Sequence, residues 1–140
     1  MSIRIFYDRV TARYKGWRKL ENILAEIIIE SSFKPGSLNI ILTDDDNLRN
    51  INIEFLEHDY FTDVITFNYN KDEIINGEIY ISLDTVKRNA INYDVSLNNE
   101  LSRVIIHGIL HLIGFDDKNE IDKERMRKAE NLWLGKLGEK

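Results

Sequence analysis

Residues 105–117 read Ile-Ile-His-Gly-Ile-Leu-His-Leu-Ile-Gly-Phe-Asp-Asp, an apolar run interrupted by two histidines and closed by two acids. A run this apolar has to be buried, so the chain must fold around it while giving each imidazole a polar use. On a helix, the four-residue offset between His107 and His111 leaves them about 40° apart in azimuth and about 6 Å apart along the axis, so both rings reach one metal ion. Gly114 stands where a helix can end in a left-handed residue and turn the chain back, bringing Asp116 or Asp117 toward the same ion. Three such ligands and an open fourth position would make a catalytic zinc site.

At 140 residues the chain suffices for one domain with one substantial core, spanning 1–140. It contains no cysteine, so disulfides and thiolate clusters are excluded and any metal rests on histidine and carboxylate. Apolar runs such as Ile27-Ile28-Ile29 are too short to span a bilayer, and the N-terminus carries no signal-type apolar block, which together predict a cytoplasmic protein with no membrane partner. A net charge of −5 argues against indiscriminate nucleic-acid binding, and no DNA partner is expected. The charge is uneven: Arg4, Arg9, Arg13, Lys15, Arg18 and Lys19 face the single acid Asp8, a basic rim that could steer RNA or simply be a solvated surface.

Alternation predicts a first strand over Ser2 to Tyr7, and Trp17, Leu20, Ile23, Leu24, Ile27 and Ile28 mark a helix from about Tyr14 to Glu30. Pro35-Gly36 reads as a turn before a short strand, Leu38 to Leu42, and Thr43 or Asp44 caps a helix from Asp45 to Phe55. A loop through His58 leads to a hairpin of Val64–Tyr69 and Glu78–Leu83 joined by the polar stretch 70–77. Ser82 or Asp84 caps a helix to about Tyr93, and Ser96 or Asn98 caps the helix carrying the histidines. The last helix, about Ile121 to Leu137, packs through Met126, Ala129 and Trp133 with its charges outward. The sum is one α+β domain: about four strands in a mixed sheet, about five helices, and a metal helix like that of the zinc peptidases.

Those peptidases carry His-Glu-x-x-His-x-x-Gly-x-x-His, in which the glutamate is the general base. Here that position is Gly108, which supplies neither acid nor base and costs about 1 kcal/mol in a helix interior. The glycine disfavours peptidase chemistry and lets a substrate or a neighbouring element approach the helix closely.

The run HGILHLIGFDD resembles the signature of the YbeY family of bacterial endoribonucleases and ribosomal RNA maturation factors, His-Gly-x-Leu-His-Leu-x-Gly-Tyr-Asp-His. Asp59-Tyr60-Phe61-Thr62-Asp63-Val64-Ile65-Thr66-Phe67 is similar to that family's Asp-x-x-Thr-Asp-Val-Leu-Ser-Phe segment, and Gly77-Glu78-Ile79 to its Gly-Asp/Glu-Ile. The blocks occur in the family's order, and the resemblance covers essentially the whole chain.

The resemblance implies one Zn2+ per chain held by His107, His111 and, where the family usually has a third histidine, Asp117. A carboxylate can coordinate zinc, but it makes the site more anionic and the metal's identity more open. The implied activity is single-strand-specific endoribonuclease action in 16S rRNA 3′-end maturation and ribosome quality control, by metal-assisted phosphodiester hydrolysis. The implied partners are an rRNA precursor and the ribosomal small subunit or its associated proteins. The family commonly has an arginine at the place of Leu56, and Arg103, one helical turn before His107 on the same face, is a candidate substitute, with a structural arginine at a helix surface as its plain alternative. Asp116 and His58 are the expected proton-transfer groups, with a turn cap and a solvated loop residue as their plain alternatives. Thr62 and Asp63 are expected to shape the cleft floor and touch substrate, and Glu78 to hold a histidine N–H or merely face solvent. Two further readings stay open: an assembly factor with a structural metal, favoured by Leu56 and the acidic charge, and a zinc hydrolase of another class.

Overall fold

Leu38, Ile40 and Leu42 alternate on one strand, and Ile75, Ile79 and Ile81 on another; all six are buried, so the two strands lie side by side under a common layer of helices. In the computed structural model, which describes Ser2–Gly138, these are β2 (Lys34–Thr43) and β4 (Ile74–Ser82). Met1, Glu139 and Lys140, at the ends of the expected 1–140 domain, lie outside the described residues. β1 (Ser2–Tyr7) pairs parallel with β2, β2 pairs parallel with β4, and β3 (Val64–Asn68) pairs antiparallel with β4, in the order β1-β2-β4-β3. The helices are α1 (Trp17–Glu30), α2 (Asp45–Leu56), α3 (Leu83–Asn92), α4 (Leu97–Leu112) and α5 (Glu120–Leu137). This is the expected α+β arrangement of a four-stranded mixed sheet and five helices.

Three boundaries differ from expectation by three or four residues. Pro35 and Gly36 belong to β2 and not to a turn: Pro35 pairs only with Ile75 of β4, and β1 joins only at Ser37. The missing proline N–H therefore leaves no ladder bond unmade on the β1 side. β4 begins at Ile74, because Asn76, which reads as a loop residue, accepts from the Ser37 amide through its side chain at 2.8 Å. α1 begins at Trp17; the preceding Tyr14 is buried and its hydroxyl meets Ser102 Oγ at 2.7 Å.

Three caps fall at the expected positions. Asp44, Ser82 and Ser96 accept from the amides of Asn47, Thr85 and Asn99, which starts α2, α3 and α4. Asp45 also ties α2 to α3, its carboxylate accepting from Ser82 Oγ, from Thr85 Oγ1 at 2.7 Å and from Arg88 at 2.9 Å. Burial alone would raise the Asp45 pKa, but these donors outweigh it and hold the carboxyl below its usual value. Its contribution to stability is therefore present above the unfolded value near 3.9 and is lost as pH falls through the lower folded one. Asp45→Asn is expected to destabilise by about 1 kcal/mol at pH 7, with the gap to wild type narrowing as pH falls below the unfolded carboxyl value, as read by urea denaturation across that range.

α4 is the buried centre: Leu101, Val104, Ile105, Ile106, Ile109 and Leu110 are each at most 2% exposed. Gly108 is where it rests on the sheet. A Cβ there would stand 2.9 Å from Cγ2 of Ile79, so the glycine admits a neighbouring strand. Gly108→Ala gains about 1 kcal/mol in helix propensity but forces that overlap, and the expected balance is a loss of about 1–2 kcal/mol in urea denaturation.

Candidate metal centre

His107 and His111 lie in the last two turns of α4, and Gly114, at φ 110°, turns the chain away from the helix. Phe115 N–H donates to Leu110 O at 3.0 Å, which fastens the reversal. Asp116 caps the following turn by accepting from the Asp117 amide at 2.8 Å. Asp117 is thereby delivered to the histidines: its Oδ2 lies 3.5 Å from His107 Nε2 and 3.4 Å from His111 Nε2, while the two Nε2 atoms are 3.0 Å apart. Two ligands bound at about 2.05 Å with a tetrahedral angle stand about 3.3 Å apart, so the triangle already has metal-site dimensions.

The tautomers point the same way. His107 Nδ1 meets Glu130 Oε2 at 2.6 Å and His111 Nδ1 meets Phe115 O at 3.0 Å. A carboxylate and a carbonyl only accept, so both Nδ1 atoms donate and both Nε2 atoms are left to converge with the Asp117 oxygen, free to ligate when the rings are neutral. Three such atoms facing one another repel unless a proton or a metal ion lies among them, and their spacing suits a metal ion. His107, His111 and Asp117 form the described residues' one His/Asp/Glu group with metal-binding spacing.

Glu130 is the residue that sequence reasoning missed. The last helix was expected to turn its charges outward, yet Glu130 on α5 is 2% exposed. Its Oε1 accepts from Arg103 Nη1 at 3.0 Å, and Arg103 Nε donates to Glu100 Oε1 at 2.9 Å; Glu100 is itself 1% exposed. Glu100, Arg103, Glu130 and His107 thus form one continuous line of charge-assisted hydrogen bonds from the core to the metal cluster. Burial would raise the Glu130 carboxyl, but His107 and Arg103 together carry it below its usual range. The sequence signal was available: Glu130 follows Met126 and precedes Trp133 and Leu134 on the apolar face, where an acid needs a buried partner.

The expected proton-transfer and substrate residues are distributed unevenly. Arg103 lines the same depression as His107, Asp117 and Glu130, but its guanidinium is committed to two carboxylates and does not stand free to face a substrate. His58 lies in an exposed loop, its ring stacked on Tyr60 with centroids 5.2 Å apart, outside the metal cluster. Glu78 meets the hydroxyls of Tyr69 at 3.1 Å and Tyr80 at 3.5 Å; the histidine N–H it was expected to hold is taken by Glu130. Thr62 Oγ1 donates to Val64 O at 3.5 Å. Asp63 is close enough to feel the charges of His107 and Arg103, yet burial outweighs both and pushes its carboxyl above the usual value.

A model of the family described as Endoribonuclease YbeY matches residues 8–138. The chain belongs to the YbeY family. A protein named Endoribonuclease YbeY from Azobacteroides pseudotrichonymphae is 44% identical over 114 residues, covering 81% of this chain and 82% of its own length. Its namesake from Chlorobium phaeovibrioides is 41% identical over 120 residues, covering 86% and 81%. The solution structure of TM1509 from Thermotoga maritima matches 96% of this chain and 90% of its own, at a TM-score of 0.62 and 33% identity. The YbeY-like segment Asp59–Phe67 forms the loop into β3 and most of that strand, and HGILHLIGFDD spans the end of α4 and the turn carrying Asp117. Leu56, where the resemblance led to the expectation of an arginine, is the last residue of α2 and 40% exposed. Among the described residues no helix is long and apolar enough to cross a membrane.

Proposed function

We propose that this chain is a zinc-dependent endoribonuclease that cuts single-stranded RNA, working on precursor rRNA at the 16S 3′ end and in ribosome quality control. The observation that carries the reading is the convergence of His107 Nε2, His111 Nε2 and Asp117 Oδ2 with both Nδ1 atoms engaged elsewhere. Two imidazoles and one carboxylate at tetrahedral spacing suit Zn2+ better than a harder cation that prefers all-oxygen ligands. Family membership supports RNA as the substrate, and the family resemblance supports a cytoplasmic site of action beside the ribosomal small subunit.

A divalent ion at this centre supplies Lewis acidity toward a phosphodiester and toward water. The chain's residues do the rest. Glu130 and Phe115 O fix the imidazole orientations, and Asp117 adds the negative charge that binds the cation. Asp116, exposed beside Asp117, is the carboxyl assigned to proton transfer, and Asp63, whose carboxyl burial pushes above its usual value, is assigned to the cleft floor. Arg103 acts through Glu130 and His107, with its own charge already matched.

Three ligands, and not four, favour a reactive over a structural metal, which sets the nuclease reading above a non-catalytic assembly factor. The test is incubation of the metal-loaded protein with end-labelled single-stranded RNA, the matching duplex and casein. Cleavage of the single strand alone is expected; cleavage of casein alone would return the site to peptidase chemistry.

A further inference from the structure

On the α4–α5 seam, His107, Asp117 and Glu130 share a depression of about 220 Å³ with Arg103, Lys123 and Arg127. Arg103 is committed to Glu100 and Glu130. Lys123 and Arg127 are not held in this way. Their side chains are 58% and 67% exposed, and their ion-pair partners among the described residues, Glu120 and Glu130, stand 3.8 Å away, too far for a hydrogen bond. The four-residue offset places both cations on one face of α5, about 6 Å apart along the axis, beside the buried Met126. Arg103 and Arg127 also border a second depression of about 340 Å³, lined by Tyr93, Asn99 and Asn131, so the two hollows follow one another along α5.

Charge decides what such a pair is for. Around the centre, the carboxylates of Glu100, Glu130 and Asp117 exceed the guanidinium of Arg103 by two, which a divalent ion does no more than neutralise. A phosphodiester, itself an anion, then meets no net positive charge at the centre, and Leu56 supplies none. Resting on the nuclease reading above, we propose that Lys123 and Arg127 bind the phosphates of single-stranded RNA beside the metal centre, so that α5 makes the cationic contact that neither Leu56 nor Arg103 makes. The planar fork of Arg127 matches two oxygens of one phosphate, whereas Lys123 acts as a mobile point charge. Two hollows in line, joined at Arg127, suit a chain of linked phosphates better than a single anion. Lys128 is the built-in comparison: it lies on the same helix with the same charge, but it pairs with Glu124 at 3.4 Å and lines neither hollow.

The test titrates the metal-loaded protein into a fluorescein-labelled decamer of unpaired 2′-O-methyl nucleotides, checked intact afterwards, at several salt concentrations and alongside cleavage of the corresponding RNA. Lys123→Ala and Arg127→Ala are each expected to weaken decamer binding about 5- to 10-fold at low salt and to make the logarithmic salt slope shallower by about 0.7, the contribution of one phosphate contact on a single strand. Lys123→Arg and Arg127→Lys keep the charge and are expected to keep the slope. Lys128→Ala leaves the slope unchanged and the affinity within about 2-fold of wild type. Metal content and melting temperature stay at wild-type values in every variant, because these side chains are exposed and none is a ligand. Unchanged affinity and slope in the Lys123→Ala, Arg127→Ala double variant, with RNA still cut by wild type, overturns the proposal and leaves the nuclease reading standing. A slope lowered as much by Lys128→Ala reports diffuse charge along α5 and overturns it too. The expected losses of decamer binding, with no cleavage by wild type, support the phosphate contacts and remove the nuclease reading. A decaglutamate peptide bound as tightly through the same two residues overturns the proposal in favour of an acidic peptide partner.

Discussion

Purified His111→Ala protein is expected to bind Zn2+ about 100- to 1,000-fold more weakly than wild type and to cut RNA no faster than a buffer control. The magnitude follows from sharing the roughly 10–16 kcal/mol of a structural zinc site among about four ligands, which makes one imidazole worth about 2.5–4 kcal/mol. Alanine leaves His107 Nε2 and Asp117 Oδ2 3.5 Å apart with no third donor. Phe115 O loses the Nδ1–H that helped hold the turn, but the Leu110–Phe115 backbone bond remains, so the fold is expected to survive. Metal content by elemental analysis, affinity by competition with a chelator, and cleavage with a contamination control are the three readings. A variant that loses zinc yet cuts as fast as wild type would place the chemistry elsewhere. A variant that keeps zinc would remove His111 from the ligand set.

The parts of this molecule legible in sequence are those written as local periodicity. The run from Ile105 to Ile113 announces both a buried helix and a shared ligand, because the four-residue offset that satisfies helix geometry is the one that lets two imidazoles meet. The boundaries that shifted did so through partners distant in sequence. Pro35 sits in a strand because β1 starts too late to need its N–H, and Asn76 is extended because Ser37 offers it an amide. Gly108 shows the limit most clearly: its sequence meaning was an absent general base with room for a close neighbour, and only the fold names Ile79 as that neighbour. Glu78 and Arg103 were each assigned the nearest attractive role. Strand alternation puts Glu78 on the far face of the sheet, and two buried acids claim Arg103.

Glu130→Gln is expected to weaken metal binding about 10- to 100-fold without removing any ligand, because a partner behind a metal-bound histidine sets its orientation and basicity. The amide can still accept from His107 Nδ1–H through its oxygen, but it carries no charge to raise the donor strength of Nε2. Its NH2 group then faces Arg103 Nη1, donor against donor, where a 3.0 Å ion pair stood. Arg103 keeps Glu100, so the destabilisation should fall at about 2–3 kcal/mol, below the 3–5 kcal/mol typical of an orphaned buried charge. Glu130→Asp keeps the charge but shortens the reach, and should recover stability better than metal affinity. Arg103→Lys cannot span both carboxylates with one ammonium and should lower affinity by a smaller factor through the same line. Thermal melts and chelator competition at saturating fold separate the two roles of Glu130. If Glu130→Gln melts earlier but binds Zn2+ as tightly as wild type, the Glu100-Arg103-Glu130 line holds the fold and nothing more; if affinity falls in protein that remains folded, the line tunes His107.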